Sequence, residues 1–148
     1  MASIRSGIGQ DMEDRYLFKA KRLDNGEWVT GSLITCEDGT CKIAIRYLDD
    51  SANIAILICA YEVDRDTICQ CTGLKDKNGK LIWENDVVKG KYYNRGRSHR
   101  HIGQVKYIYG AYKVVGVKQY TGYHVILDGS YKIIGNIFDN PELLESEV

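Results

Sequence analysis

The sequence predicts an all-β protein, on three observations. Short runs of residues alternate between apolar and polar side chains, as strands with one buried face do. Gly, Asn, Asp and Ser separate these runs at close, regular spacing. Asn78-Gly79 lies between two apolar-bearing runs, and Asn-Gly favours a tight hairpin turn because both residues tolerate positive φ. Such short antiparallel strands favour a strongly bent barrel of the SH3-like kind in the C-terminal half.

The N-terminal half is predicted as an antiparallel β subdomain over residues 15–66, after a flexible segment at residues 1–14. Turns are expected at Asp24-Asn25-Gly26 and between Cys36 and Cys41. Strands are predicted at residues 16–22, 27–34, 41–48 and 54–60. The fourth run, IAILICA, is continuously apolar, which predicts either a strand buried on both faces or a subunit contact.

The C-terminal half, residues 67–138, is predicted as the SH3-like barrel. The Asn78-Gly79 hairpin opens it, and further turns are expected at Gly110-Ala111 and at residues 128–130. A short helix is predicted within residues 139–148, because Asn140 can cap it and Pro141 suits its first position. Strands are predicted at residues 105–109, 112–117, 123–127 and 131–134.

Composition indicates an ordinary globular protein, with 44% hydrophobic and 27% charged residues among 148. The chain has no apolar run long enough for a membrane span, and its first residues lack the apolar core of a secretory signal. A cytoplasmic location is therefore expected. The five cysteines lack the spacing of a zinc knuckle, which favours reduced, partly buried thiols over a metal site. They are Cys36, Cys41, Cys59, Cys69 and Cys71.

Charge is distributed unevenly, although the net charge is zero. Residues 87–127 contain no Asp or Glu but hold eight Lys and Arg, all three His and seven of the eleven Tyr. The rest of the chain carries 12 basic and 20 acidic residues. If the two parts fold separately, the protein presents one positive region and one negative region.

The segment 90–101, GKYYNRGRSHRH, is the candidate binding site and is predicted to be a loop outside the core. Arg forks match phosphate oxygens and Tyr faces can stack on bases, so the segment suits nucleic acid, a nucleotide or an acidic protein surface. Two other interpretations remain open: a contact with a neighbouring subunit, and a solvated loop without a specific role. The eight candidate residues are Lys91, Tyr92, Tyr93, Arg95, Arg97, His99, Arg100 and His101.

Strand tyrosines raise a related question. Tyr107 and Tyr109 lie on one face of a predicted strand, where they form a stacking platform if that face is outward and part of the core if it is inward. His99 and His101 alternate along the chain but lack further ligands at recognisable spacing, so no metal site is predicted.

Nothing in the sequence indicates catalysis. It has no nucleophile elbow, no Walker-type loop, no His-Glu-x-x-His and no dinucleotide glycine pattern. The basic segment also lacks a carboxylate that could act as a base or hold Mg²⁺. We therefore expect a non-enzymatic protein without a cofactor.

Three stretches carry a family resemblance. TGLKDKNGKLIWENDVV at residues 72–88, the opening residues 15–34 and YKIIGNIFDNPELL at residues 131–144 resemble, in this order, the motifs of the YopX family of small bacteriophage and prophage proteins. Asn85 stands where the family usually has Gly, and Cys71 where an aromatic residue is common. The resemblance implies origin and architecture, since the family has no established reaction.

The resemblance and the basic segment together lead to a functional hypothesis. It is a phage- or prophage-encoded binding protein that antagonises a host defence system by binding a nucleotide signal or a host protein. The alternative is a nucleic-acid-binding regulator that uses the same basic, Tyr-rich and Arg-rich surface. The apolar run at residues 54–60 and the charge division also favour a homo-oligomer.

Overall fold

The computed structural model describes residues 4–6, 14–49 and 55–145. Two antiparallel sheets account for the strands of this part of the chain, so the all-β prediction is confirmed. The chain divides into two compact units, Met1–Gln70 and Cys71–Val148. Most of the segment predicted to be flexible, residues 1–14, lies outside the described residues. Within the described ranges, no helix has the length and apolar character needed to cross a membrane.

The first unit is built on β1 to β5, with the first two residues of β6. In it β4 pairs with β3 and β1 on one edge and with β5 on the other, and β2 pairs with β3 and with the start of β6. The core of this unit is formed by Ala20, Val29, Cys41, Ile43 and Val63. The strands are β1 (Ile4–Ser6), β2 (Phe18–Lys21), β3 (Trp28–Thr35), β4 (Cys41–Asp49), β5 (Ala55–Val63) and β6 (Cys69–Lys75).

One expectation for β5 is wrong. The side chain of Ile58 is 66% exposed, so this strand is not buried on both faces. This strand pairs with β4, and the described residues leave the side chain of Ile58 largely uncovered.

The second unit continues β6 and adds β7 (Leu81–Trp83) and a five-stranded sheet. The order of that sheet is β11-β10-β9-β8-β12. No pairing among the described residues closes it, so the SH3-like barrel stays a prediction. The core contains Ile82, Val88, Val105, Val114, Leu127 and Tyr131. The strands are β8 (Asp86–Asn94), β9 (Arg97–Ile108), β10 (Ala111–Gly116), β11 (His124–Ile126) and β12 (Lys132–Asn136).

The predicted Asn78-Gly79 turn joins β6 and β7, and a buried carboxylate holds it. Asp76 accepts hydrogen bonds from the backbone N–H groups of Asn78 and Lys80, each 2.9 Å away, and from that of Ile133 at 3.1 Å. Burial acts to raise the pKa of Asp76, but these three donors outweigh burial and lower it. The Lys77 amide also donates to the Tyr131 carbonyl at 3.0 Å. The turn is thereby fixed against the start of β12.

The backbone conformation of Asn85 explains why Asn can stand where the family that the sequence resembles usually has Gly. Asn85 lies in the turn before β8 with φ of 71°, in the left-handed region that Gly and Asn adopt more readily than other residues. Its side-chain oxygen accepts a hydrogen bond from Gln104 at 3.0 Å. Asn therefore satisfies the same backbone requirement that Gly would, and it adds a link to β9.

We expect Asn85→Val to lower the free energy of unfolding by about 1–3 kcal/mol, because a β-branched side chain at this φ is strained. Asn85→Gly should change it by less than about 1 kcal/mol, since Gly adopts the conformation freely and the loss of the Gln104 hydrogen bond has a modest net cost. Urea denaturation of both variants checks the difference. Equal losses for Val and Gly would show that the hydrogen bond, and not the backbone, sets the requirement.

The predicted C-terminal helix is a single 3-10 turn, Pro141–Leu144. Pro141 does stand at its start, but the Asn140 side chain makes no capping bond to the turn, so that part of the prediction is wrong. The Asn140 side-chain oxygen instead accepts from the backbone N–H of Asn136 at 3.2 Å, at the end of β12.

Candidate anion-binding site

The segment 90–101 is a β-hairpin and not the predicted loop. Strands β8 and β9 pair continuously from Val87↔Gln104 to Asn94↔Arg97. The two-residue turn is Arg95-Gly96, with φ of 52° and 75°, the conformation that matches the twist of paired strands. The prediction was wrong because a backbone ladder needs no apolar side chains at an exposed hairpin end, and Arg at the first turn position is not a usual turn signal.

Strand alternation divides the eight candidate residues between two faces. Lys91 pairs with Arg100, and Tyr93 follows Lys91 on the same side of β8. The other side of the hairpin carries Tyr92, Arg97, His99 and His101. Arg95 lies in the turn. The candidate residues therefore do not form one patch.

The first face opens on a cavity of about 590 Å³. Five of its lining residues are cationic and none is a carboxylate. The cations are exposed, and none forms an ion pair with a carboxylate of the described residues. We name these five residues the cationic cluster. They are Lys77, Lys89, Lys91, Arg100 and Lys132, and the other lining residues are Gly90, Tyr93, Ser130 and Ile134.

Two like-charged pairs lie directly opposite each other on neighbouring strands in this cavity. Lys89 of β8 is opposite Lys132 of β12, and Lys91 of β8 is opposite Arg100 of β9. Like charges in such positions destabilise a sheet, by up to about 1 kcal/mol for a pair. The arrangement is not confined to the cavity, since Lys106 and Lys113 are also directly opposite each other on paired strands and do not line it.

Three members of the cationic cluster were not among the candidate residues. Lys77 follows Asp76 in the first hairpin, Lys89 precedes the candidate segment, and Lys132 lies in the closing motif. Of these three, only Lys89 lies within residues 87–127, the segment that contains no Asp or Glu. The other two reach the cavity because β12 returns beside β8 and because Asp76 binds the backbone of Ile133.

The opposite face of the hairpin carries an aromatic network centred on the buried His101. This imidazole is fully buried, with Nδ1 2.9 Å from the Tyr131 hydroxyl and Nε2 3.3 Å from the Tyr123 carbonyl. Since a carbonyl only accepts, Nε2 carries the proton and Nδ1 accepts from Tyr131. Tyr92 packs edge-on to His101 at 5.2 Å and stacks on His99 at 5.2 Å. His101 is therefore a core residue, buried on the face opposite Lys91 and Arg100.

Burial lowers the pKa of His101, with a smaller contribution from nearby His124, against the raising effect of the Tyr123 carbonyl. Burial also raises the pKa of Tyr131 to about 12. Both groups are therefore neutral at pH 7, which suits the hydrogen bond between them.

We expect the protein to lose stability as the pH falls below about 6.5, the ordinary histidine value. Because the pKa of His101 is lower in the folded state, the unfolded chain binds more protons in this range, so the free energy of unfolding decreases with falling pH. Urea denaturation at several pH values checks this, and His101→Phe should flatten the dependence while exposed His99→Gln keeps it. An unchanged slope in His101→Phe would contradict the assignment.

The strand tyrosines are largely outward. Tyr109 is 97% exposed at the β9–β10 turn and Tyr107 is 58% exposed, with its ring edge-on to Tyr112 at 5.0 Å. Of the two alternatives, a surface position fits both Tyr107 and Tyr109.

In the described part of the chain, no group of three or more His, Cys, Asp or Glu side chains could hold a metal ion. All five cysteines are described and none forms a disulfide.

The chain matches the model of a known protein family. Residues 17–145 match a family model described as YopX protein, which covers most of the chain. No curated protein matches the chain.

Proposed function

We propose that this chain, which belongs to the YopX family, is a phage- or prophage-encoded, non-enzymatic protein that binds a nucleotide in its cationic cavity. In this proposal the protein acts in the bacterial cytoplasm, where it antagonises a host defence system that signals through a nucleotide. The observation that carries it is the cationic cluster: five positive side chains around one cavity without a carboxylate.

The volume and the lining side chains of the cavity support a small ligand. Its volume of about 590 Å³ lies within the range of small-molecule sites, about 300–1,000 Å³. A planar guanidinium such as that of Arg100 can bind two phosphate oxygens at once, while lysines act as point charges. Tyr93 is 79% exposed at the cavity and offers a ring face on which a base can stack.

The lining supports binding without turnover. It offers four lysines, one arginine, one tyrosine and one serine as polar side chains, without a carboxylate, imidazole or thiol. General-base catalysis and Mg²⁺-assisted phosphoryl transfer ordinarily rely on such groups.

Calorimetric titration with ATP and GTP tests the proposal. We expect binding at low salt, and at least a hundredfold loss of affinity in the variant K91Q/R100Q, because two charge-assisted contacts of about 1.5–3 kcal/mol each disappear. K106Q/K113Q is the matched control: Lys106 and Lys113 are also directly opposite on paired strands, yet they do not line the cavity. Equal affinities for the two variants, or no binding by the wild type, would overturn the proposal.

The second candidate function is a nucleic-acid-binding regulator. It is favoured by the exposed Tyr93, Tyr107 and Tyr109 within a segment free of carboxylates. Salt distinguishes the two functions, because affinity for a nucleic acid falls steeply with salt, with a slope near the number of phosphates contacted. The regulator would be favoured if the affinity for a long oligonucleotide falls with salt at a slope that corresponds to many phosphate contacts while mononucleotides bind weakly.

We also propose that β5 joins two copies of the chain. Its outer edge is unpaired from Ala55 to Tyr61 within the described residues, and Ile58 beside that edge is 66% exposed. Ile58→Lys should shift the protein to monomer in light scattering, whereas Ile126→Lys, at a residue of equal 66% exposure in the second unit, should not. Native mass spectrometry of protein purified from its bacterial host would report the subunit number and a co-purifying nucleotide or host defence protein.

A further inference from the structure

We infer that the cavity takes a dinucleotide whose two phosphates flank one nucleoside, in preference to a ligand with adjacent phosphates. This inference rests on the proposed nucleotide-binding function and specifies its ligand. It follows from the arrangement of the cationic cluster in two levels along β8.

The two levels are separate cross-strand pairs on one face. Lys89 and Lys132 form the first, and Lys91 and Arg100 form the second. Within a level the Cα atoms of directly opposed residues are about 4.5–5.5 Å apart. Between levels the separation along β8 is two residues, about 7 Å.

Each of the two pairs favours binding of an anion independently. Two like charges on opposed residues repel each other, and one phosphate between them adds two attractions that outweigh this repulsion. A second phosphate does the same at the next level. Adjacent phosphates share a bridging oxygen, so they would draw all four cations toward one level and increase the repulsion among them.

Tyr93 extends the same series. It lies two residues beyond Lys91 on the same face of β8, and it lines the cavity with its ring exposed. A base attached next to the second phosphate would reach this ring. Phosphate, nucleoside, phosphate and base thus follow the order of Lys89, Lys91 and Tyr93 along one strand.

Two sources supply this chemistry: a cyclic dinucleotide, with two phosphodiesters, and a linear dinucleotide with a 5′-phosphate. Calorimetric titration of the full chain with cyclic di-AMP, cyclic di-GMP, pApA and pGpG tests both, with ADP, GDP, AMP and GMP as comparisons. We expect the better dinucleotide to bind at least tenfold more tightly than the diphosphate of the same base. Tighter binding of the cyclic or of the linear compounds identifies the source.

Paired variants locate the levels. K89Q/K132Q and K91Q/R100Q should each remove the preference for the dinucleotide over the monophosphate, leaving a ratio near one. ADP or GDP binding as tightly as the dinucleotides would overturn the two-level inference and leave the proposed function standing. Failure of all nucleotides to bind would overturn the proposed function itself.

Discussion

Replacing Lys89 and Lys132 together with glutamine should weaken nucleotide binding at least a hundredfold and, in the same variant, raise the melting temperature of the ligand-free protein. Binding falls because each charge-assisted contact contributes about 1.5–3 kcal/mol, so two lost contacts exceed a hundredfold in affinity. Stability rises because the two lysines are directly opposite on β12 and β8, where their repulsion is relieved. Glutamine keeps much of the length of each side chain while removing the charge.

The opposite signs of the two effects separate a binding role from a structural one. Calorimetry measures affinity and differential scanning calorimetry measures the melting temperature. In the control K106Q/K113Q a like-charged pair of the same cross-strand kind is removed outside the cavity, so its melting temperature should rise while its affinity stays within about twofold. A melting temperature that falls in K89Q/K132Q, with unchanged affinity, would show that these lysines serve the fold.

Tyr131→Ala should lower the free energy of unfolding by about 3–5 kcal/mol, the range for truncating a buried aromatic side chain. Tyr131 is fully buried in the core of the second unit. Its ring lies where a Cβ on Gly90 would be 2.7 Å from it, so it packs directly under the backbone that lines the cavity. Loss of the ring removes this support and the hydrogen bond to His101.

Urea denaturation of two variants apportions the loss. Tyr131→Phe keeps the ring and removes the hydroxyl, so it should lose about 1–3 kcal/mol because Nδ1 of buried His101 loses its donor. The difference between the Ala and Phe variants then measures packing. A loss below about 1 kcal/mol for Tyr131→Ala would contradict the central place given to this ring.

The sequence was sufficient for most strands and for the first hairpin. Alternation predicted the strands of both halves, because one buried face imposes a period of two. Asn78-Gly79 predicted its turn, because the residues that tolerate positive φ are few. The buried role of Asp76 was not predictable, since one of its three donors, Ile133, lies 57 residues away in the chain.

The candidate site was only partly predictable. The absence of carboxylates from residues 87–127 pointed to the β8–β9 hairpin, but charge composition does not predict which side chains share one face of a strand. In the structure, the alternation of side chains along β9 places Arg100 and His101 on opposite faces of the hairpin. The fold also brings Lys132 and Lys77, which lie outside residues 87–127, to the cavity. Non-local strand pairing places Lys132, and the long-range hydrogen bond between Ile133 and Asp76 places Lys77. Contacts of this kind cannot be deduced from local pattern.

Binding of a phosphate-bearing ligand in the cationic cavity can be observed directly from the amide chemical shifts of the ¹⁵N-labelled protein during titration with a nucleotide. We expect saturable shifts confined to the cavity residues: Lys77, Lys89 to Lys91, Tyr93, Arg100, Ser130 and Lys132. Shifts confined to the β9–β10 hairpin around Tyr107 and Tyr109, or to the first unit, would contradict it, as would a titration that leaves the spectrum unchanged.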